Sequence, residues 1–171
     1  MRPKIATHTS VRVRAPARLH LGFLDMNGAL GRRFGSIGLA VDRPSTRLTV
    51  TRADSNSATG AESARVLRLV QMFQRGARSG FAIDVAEAIP AHAGLGSGTQ
   101  LALAVGTAIA RLEGRELGAQ DLAGVGERGM RSGIGLAAFS GGGFLVDGGR
   151  GEHDRAPPVT LRSDFPDDWR V

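Results

Sequence analysis

Cysteine and tyrosine are absent from these 171 residues, tryptophan occurs once, and Lys4 is the only lysine among 22 basic residues, the rest being arginine. Each scarcity excludes something. Without cysteine there is no disulfide and no thiolate metal site, and a reducing compartment fits. With aromatics at 5%, the basic residues lack the stacking partners that single-stranded nucleic acid uses, so nucleic acid is not the expected partner. With lysine confined to position 4, a phosphate loop of the Gly-Lys-Ser or Gly-Lys-Thr kind is unavailable. The longest apolar run, Leu101 to Ala110, is too short to span a bilayer, and Met1 to Arg14 has no signal-peptide core. The expectation is a soluble, cytoplasmic protein with no membrane partner.

What is present is a globular composition, 42% apolar and 22% charged, at a length natural for one domain. The net charge of +6 is uneven: residues 1 to 52 hold ten basic side chains against only Asp25 and Asp42. Arginine's planar fork matches phosphate and carboxylate oxygens. Such a chain suits a small, highly phosphorylated ligand, although a solvated basic face accounts for many individual arginines.

The chain is organised around Pro90-Ala91-His92-Ala93-Gly94-Leu95-Gly96-Ser97-Gly98-Thr99. Before it, Phe81 to Ile89 alternates as a half-buried strand does; after it, Leu101 to Leu112 is an apolar helical run. Gly94, Gly96 and Gly98 permit positive φ and close approach to a ligand, and Ser97 and Thr99 can cap the following helix. Strand, glycine loop and helix in this order make an anion site, where free N–H groups meet the positive end of the helix dipole. The plainer alternative is a tight turn with an N-cap.

Elsewhere, Val11 to Ala15 reads as a strand, and Arg18 to Asp25 alternates so that Arg18, His20 and Gly22 oppose Leu19, Leu21 and Phe23. An arginine beside an imidazole can bind an anion or move a proton, or can simply line an exposed strand. Gly31 to Val41 enters another strand through a loop carrying Arg32 and Arg33, and Arg47 to Arg52 continues as strand. Ala53 to Gly60 reads as a loop. Glu62 to Arg75 has Val66, Leu69, Val70 and Phe73 at helical spacing, with Arg65, Arg68 and Arg75 on its wet side. Gln100 to Glu113 is a buried helix closed by Gly114, and Ala119 to Met130 a further helix. On that helix Glu127 is either a magnesium ligand or a surface carboxylate paired with Arg128 or Arg131. Arg131 to Gly149 reads as a loop, a short strand, a glycine turn and another strand, with Arg131 and Ser132 open to a ligand. Arg150 to Pro158 looks like a surface hairpin or linker, and Trp169-Arg170-Val171 like the start of a strand.

Proline, three residues, then Gly-Leu-Gly-Ser resembles the phosphate-binding motif of the GHMP kinase superfamily, with Gly98 where that family carries a further hydroxyl residue. Together with Ala17 to Asp25, Gly31 to Ala40 and Arg131 to Gly149, it resembles the branch that makes β-ribofuranosylaminobenzene 5′-phosphate in methanopterin biosynthesis. The resemblance covers Val11 to the last residue and only the N-terminal part of that family. It implies an α+β fold with a ribosomal-protein-like mixed sheet and helices on one face, and a C-terminal domain absent from this chain. It also implies condensation of phosphoribosyl pyrophosphate with 4-aminobenzoate or a hydroxybenzoate-type acid, releasing CO2 and pyrophosphate, with Mg2+ and without ATP.

On this resemblance Arg18, His20 and Asp25 are the catalytic candidates. Arg32, Arg33, Gly94, Leu95, Gly96, Ser97, Gly98, Thr99, Arg131 and Ser132 are the substrate and phosphate candidates, and Glu127 is the metal candidate. Superfamily kinases typically carry an aspartate shortly after the Ser-Gly that follows the second helix, as general base; Ser132-Gly133-Ile134-Gly135-Leu136 has none. A small-molecule kinase is therefore the second expectation. A third is a catalytically incomplete phosphate-binding domain, whose uncovered apolar surface favours association, a homodimer included.

Overall fold

The computed structural model describes residues 8–29, 31–74, 80–126, 133–152, 154, 156–166 and 168–171. Strand β1 (Ser10–Leu24) pairs antiparallel with β2 (Gly35–Ala53), whose 19 residues form the spine of a six-stranded sheet. Along its other edge β2 pairs antiparallel with β4 (Gly80–Glu87) through residues 47–53 and with β5 (Phe144–Asp147) through residues 36–39. The sheet is completed by β3 (Ser57–Gly60), parallel to β4, and β6 (Val159–Ser163), antiparallel to β5.

Helix α1 (Ser63–Phe73) buries Val66, Leu69, Val70 and Phe73, the face its spacing predicts. These meet α2 (Ser97–Leu112) and the inward residues of the sheet, among them Leu48, Val50, Phe81, Ile83 and Val85, in one core. Apolar residues lie on nearly every side of α2, which is therefore buried between α1, α3 (Ala119–Gly126) and the sheet. It ends as Gly114 suggests: Gly114 takes φ +71°, its N–H reaches Arg111 O at 3.1 Å, and the Arg115 N–H reaches Ala110 O at 2.8 Å. Arginines also close this and other helix ends. Arg52 donates to Leu112 O, Arg115 to Phe73 O at 3.2 Å, and Arg162 to Ala137 O at 2.9 Å and to Gly142 O.

Three expectations are corrected. Ser57–Gly60, read as loop, is β3; its Ser-Ala-Thr-Gly sequence has no apolar alternation, and pairing with β4 alone makes it a strand. The short strand expected after Arg131 is helix α4 (Ile134–Gly141), which is buried along Ile134–Ala138, so no polar face marks its period. Trp169–Val171 is not a strand; the last strand is β6, and Trp169 packs edge-on against Phe165 at 5.5 Å. The helix from Ala119 is described to Gly126, and Glu127, Arg131 and Ser132 lie outside the described residues. Among the described residues no helix is long and apolar enough to cross a membrane.

Candidate functional site

The glycine loop leaves β4 from a pinned base. Glu87 accepts from Arg47 at 2.7 Å and from the Ser45 N–H at 3.3 Å, and these bonds, Ser45's first, hold its carboxyl below the usual glutamate range. Ile89 is buried. Beyond it the backbone turns through positive φ at His92, Gly94 and Gly96, and α2 begins. The cap is Gly96, at φ +82°, with no side-chain cap bond, so the capping expected of Ser97 and Thr99 is corrected: Ser97 is the first helical residue and its hydroxyl is not spent on the helix. The N–H groups of Ser97 and Gly98 have no carbonyl one turn earlier to meet. Among the described residues none of the turn and cap hydrogen bonds uses them.

Strand β1 delivers Arg18 to this loop. The Arg18 N–H donates to Leu95 O at 3.1 Å, and Nη1 donates to Gly94 O. The side chain lies so close to Gly96 that a Cβ there would stand 3.3 Å from Arg18 Cγ. Burial lowers the Arg18 pKa from the ordinary arginine value, and its Nε is buried without a partner among the described residues. A desolvated guanidinium against a loop whose N–H groups are unused among the described residues has the chemistry to hold an anion.

His20 shares the face of Arg18. Its cross-strand partner is Gly38, where an added Cβ would meet Ile134 Cγ2 at 2.3 Å, so α4 lies directly over this part of the sheet. Burial lowers the His20 pKa first and the Arg18 charge lowers it further, with Asp147 opposing. The imidazole is therefore neutral at pH 7, and its Nε2 is buried without a partner among the described residues.

The expected alternation breaks after His20. The register shifts between His20 and Gly22, a β-bulge at Leu21, so Phe23 in place of Gly22 joins the face of His20. The Phe23 and His20 rings stand 4.5 Å apart, and Phe34, at φ +60°, meets Phe23 edge-on at 6.1 Å. Nothing in the period of the sequence announces this bulge.

The remaining candidates are placed as follows. Asp25 Oδ1 accepts from the Ala29 N–H at 2.9 Å and shapes the turn after β1. Arg32 donates to the carbonyls of Gly148 and Gly149, both at 3.0 Å, and to Asp154, so these donors close the β5–β6 connection instead of standing open to an anion. Arg33 pairs by its backbone with Arg150, and its side chain lies over Gly28, exposed. Gly94 to Thr99 and Arg18 come together; Arg32 belongs to the hairpin.

Sequence reasoning missed Asp147. This carboxylate, 1% exposed, accepts from the Ser36 N–H at 3.1 Å and Oγ at 2.5 Å, the Gly133 N–H at 2.9 Å and the Gly149 N–H at 3.0 Å. It ties the start of β2, the N-terminus of α4 and the β5 turn into one knot beside His20. The only signal was an aspartate closing an apolar strand before Gly148-Gly149. Gln100, also buried, donates to Gly135 O at 2.8 Å and joins the N-termini of α2 and α4.

This fold and loop are similar to a known class: residues 64–143 match the GHMP kinases N terminal domain. Within that class it is similar to the protein named beta-ribofuranosylphenol 5′-phosphate synthase. Identity is 35% to the protein of Archaeoglobus fulgidus, over 94% of this chain and 56% of that one. It is 33% to the protein of Methanocaldococcus jannaschii, over 93% and 57%. The chain thus spans little more than half the length of the curated relatives it matches. Among solved structures it resembles Methanococcus jannaschii mevalonate kinase (TM-score 0.59, 15% identity, 80% of this chain and 52% of that one). It also resembles a 4-(cytidine 5′-diphospho)-2C-methyl-D-erythritol kinase (TM-score 0.62, 21% identity, 91% and 56%). These neighbours establish the fold.

Proposed function

We propose that this chain is the phosphate-binding part of an enzyme that transfers the phosphoribosyl group of phosphoribosyl pyrophosphate to an aromatic acid, releasing CO2 and pyrophosphate. The observation that carries the reading is the Arg18 guanidinium seated against the glycine loop, with the neutral His20 beside it. The relatives' name specifies a phenol, which favours a 4-hydroxybenzoate-type acid over 4-aminobenzoate as acceptor.

Electrons balance without an added oxidant or base. The bond from ribose C1 to pyrophosphate breaks and its pair leaves with the pyrophosphate. A ring π pair then makes the new bond from the carboxylate-bearing carbon to C1, and the pair released as CO2 departs restores the ring. In this reading the Ser97 and Gly98 N–H groups and Arg18 face the charge that grows on the leaving pyrophosphate. Their positions are fixed before reaction, by the left-handed turn at Gly96 and by the Arg18 bond to Gly94.

Mg2+ suits such a site because it keeps several waters and binds through substrate phosphates with one or two protein oxygens. Among the described residues no three acidic or histidine side chains gather to hold a metal, so a phosphate-borne ion with the Ser97 hydroxyl, free of any cap bond, and Glu127 is the arrangement proposed. When bound, the ion neutralises charge on the departing pyrophosphate. Arg131 and Ser132, just before Gly133, are proposed to contact substrate anions. The first turn of α4 carries no acidic residue, which disfavours a kinase with its general base there. The test is Glu127→Ala and Arg18→Ala in a pyrophosphate-release assay. Both are expected to lower turnover, the first with weaker magnesium activation, and full activity in Arg18→Ala contradicts the reading.

A further inference from the structure

We infer that Phe23 and Phe34 form the seat for the ring of the aromatic acid, with its carboxylate end toward His20 and Arg18. The inference rests on the synthase reading and adds where the acceptor binds. Four observations on one face of the sheet support it. The bulge at Leu21 turns Phe23 out of alternation onto the face of Arg18 and His20. Phe34 is held at φ +60°, a conformation uncommon for a bulky residue, edge-on to Phe23. Both rings are about half exposed, 48% for Phe23 and 43% for Phe34, so a flat ligand can reach them. At the inner end of this platform lie the buried Nε2 of His20 and Nε of Arg18, which have no partner among the described residues.

An apolar surface ending in two unsatisfied nitrogens, one of them on a cation, is complementary to a flat molecule with an anionic end. It matches a second copy of this chain less well, since a dimer contact would leave those nitrogens uncovered. The order along β1 also suits the reaction. Arg18 holds the pyrophosphate side at the glycine loop, His20 lies about 7 Å further along the strand, and the Phe23 ring packs against His20 at 4.5 Å, tilted by 54°. An acid lying on Phe23 and Phe34 thus presents its carboxylate-bearing carbon to the space beside Arg18, where C1 of the ribose would stand.

The test is binding of 4-hydroxybenzoate to the full chain by ligand-observed NMR, in the wild type and in Phe23→Leu and Phe34→Leu. Both variants keep apolar bulk at half-exposed positions, and a thermal melt checks that each is folded. Each variant is expected to weaken 4-hydroxybenzoate about five- to tenfold while phosphoribosyl pyrophosphate binding stays within twofold. The saturated analogue 4-hydroxycyclohexanecarboxylate is expected to bind markedly less well than the aromatic acid. Unchanged affinity in both folded variants overturns the platform even where the wild type turns over. So does a wild type that does not bind the acid, or sedimentation showing that Phe23 and Phe34 are buried between two copies. Phe23-dependent binding with no pyrophosphate release from a chain extended to the length of its relatives would instead sink the synthase reading and leave the aromatic seat standing.

Discussion

Arg18 and His20 act as a pair, and each reports on the other. Burial and then the Arg18 charge hold the His20 pKa below 6.5, with Asp147 working against both. The folded state therefore binds fewer protons than the unfolded chain in the window just below pH 6.5, so stability falls as pH drops through that window and is retained above it. Removing the Arg18 charge in Arg18→Met takes away one lowering cause. The His20 pKa is expected to move upward toward 6.5, read from its imidazole NMR titration. A pKa that stays or falls would mean that the two side chains are not electrostatic neighbours. Of the pair, sequence alone supplied the shared strand face; the bulge at Leu21 that adds Phe23 was hidden, because a single inserted residue leaves the alternation on either side intact.

At the scale of elements, Asp147 decides how α4 meets the sheet. Asp147→Asn replaces a carboxylate that accepts from three N–H groups and a hydroxyl with an amide that brings donors of its own. A loss of about 3 kcal/mol or more is expected in urea unfolding, and a loss near zero would contradict the knot. Gly38→Ala tests the other side of the same junction, since its Cβ would meet Ile134 Cγ2 at 2.3 Å and Leu19 O at 2.8 Å. About 1–3 kcal/mol of destabilisation is expected by the same measurement. Helix α1 was legible because Val66, Leu69, Val70 and Phe73 repeat at helical spacing on one face. Helix α4 was not, because an eight-residue segment buried along its first five residues shows no period, and β3 was not, because a four-residue strand of small residues exists only through its partner. The arginine excess suggests anionic ligands, but Arg52, Arg115 and Arg162 close helix ends, and among the described candidate arginines Arg18, a catalytic candidate, is the one at the glycine loop.

Among the described residues apolar surface is exposed at the end of β1, with Leu21, Leu24 and Met26, at Met72 on α1, at Trp169 and Val171, and on the edge strand β6, where Val159 and Leu161 are exposed and the described pairing is with β5. An exposed, unpaired edge invites association. Val159→Lys with Leu161→Lys is expected to reduce concentration-dependent self-association in sedimentation velocity, and equal association in the variant would exclude β6 as the contact. The class of the fold could be read in the order of strand, glycine loop and helix. The knot at Asp147 could not, because it joins residues 36, 133, 147 and 149, which only the folded sheet brings together.

The central claim is tested most directly by measuring pyrophosphate and CO2 together from phosphoribosyl pyrophosphate, 4-hydroxybenzoate and Mg2+. The assay is run with this chain and with one extended at its C-terminus to the length of its relatives. Equimolar release of both products by the extended chain is expected, with none when Arg18 is replaced by alanine. Consumption of ATP with a sugar or alcohol acceptor, and no pyrophosphate or CO2 from either chain, would contradict the account and make the protein a kinase.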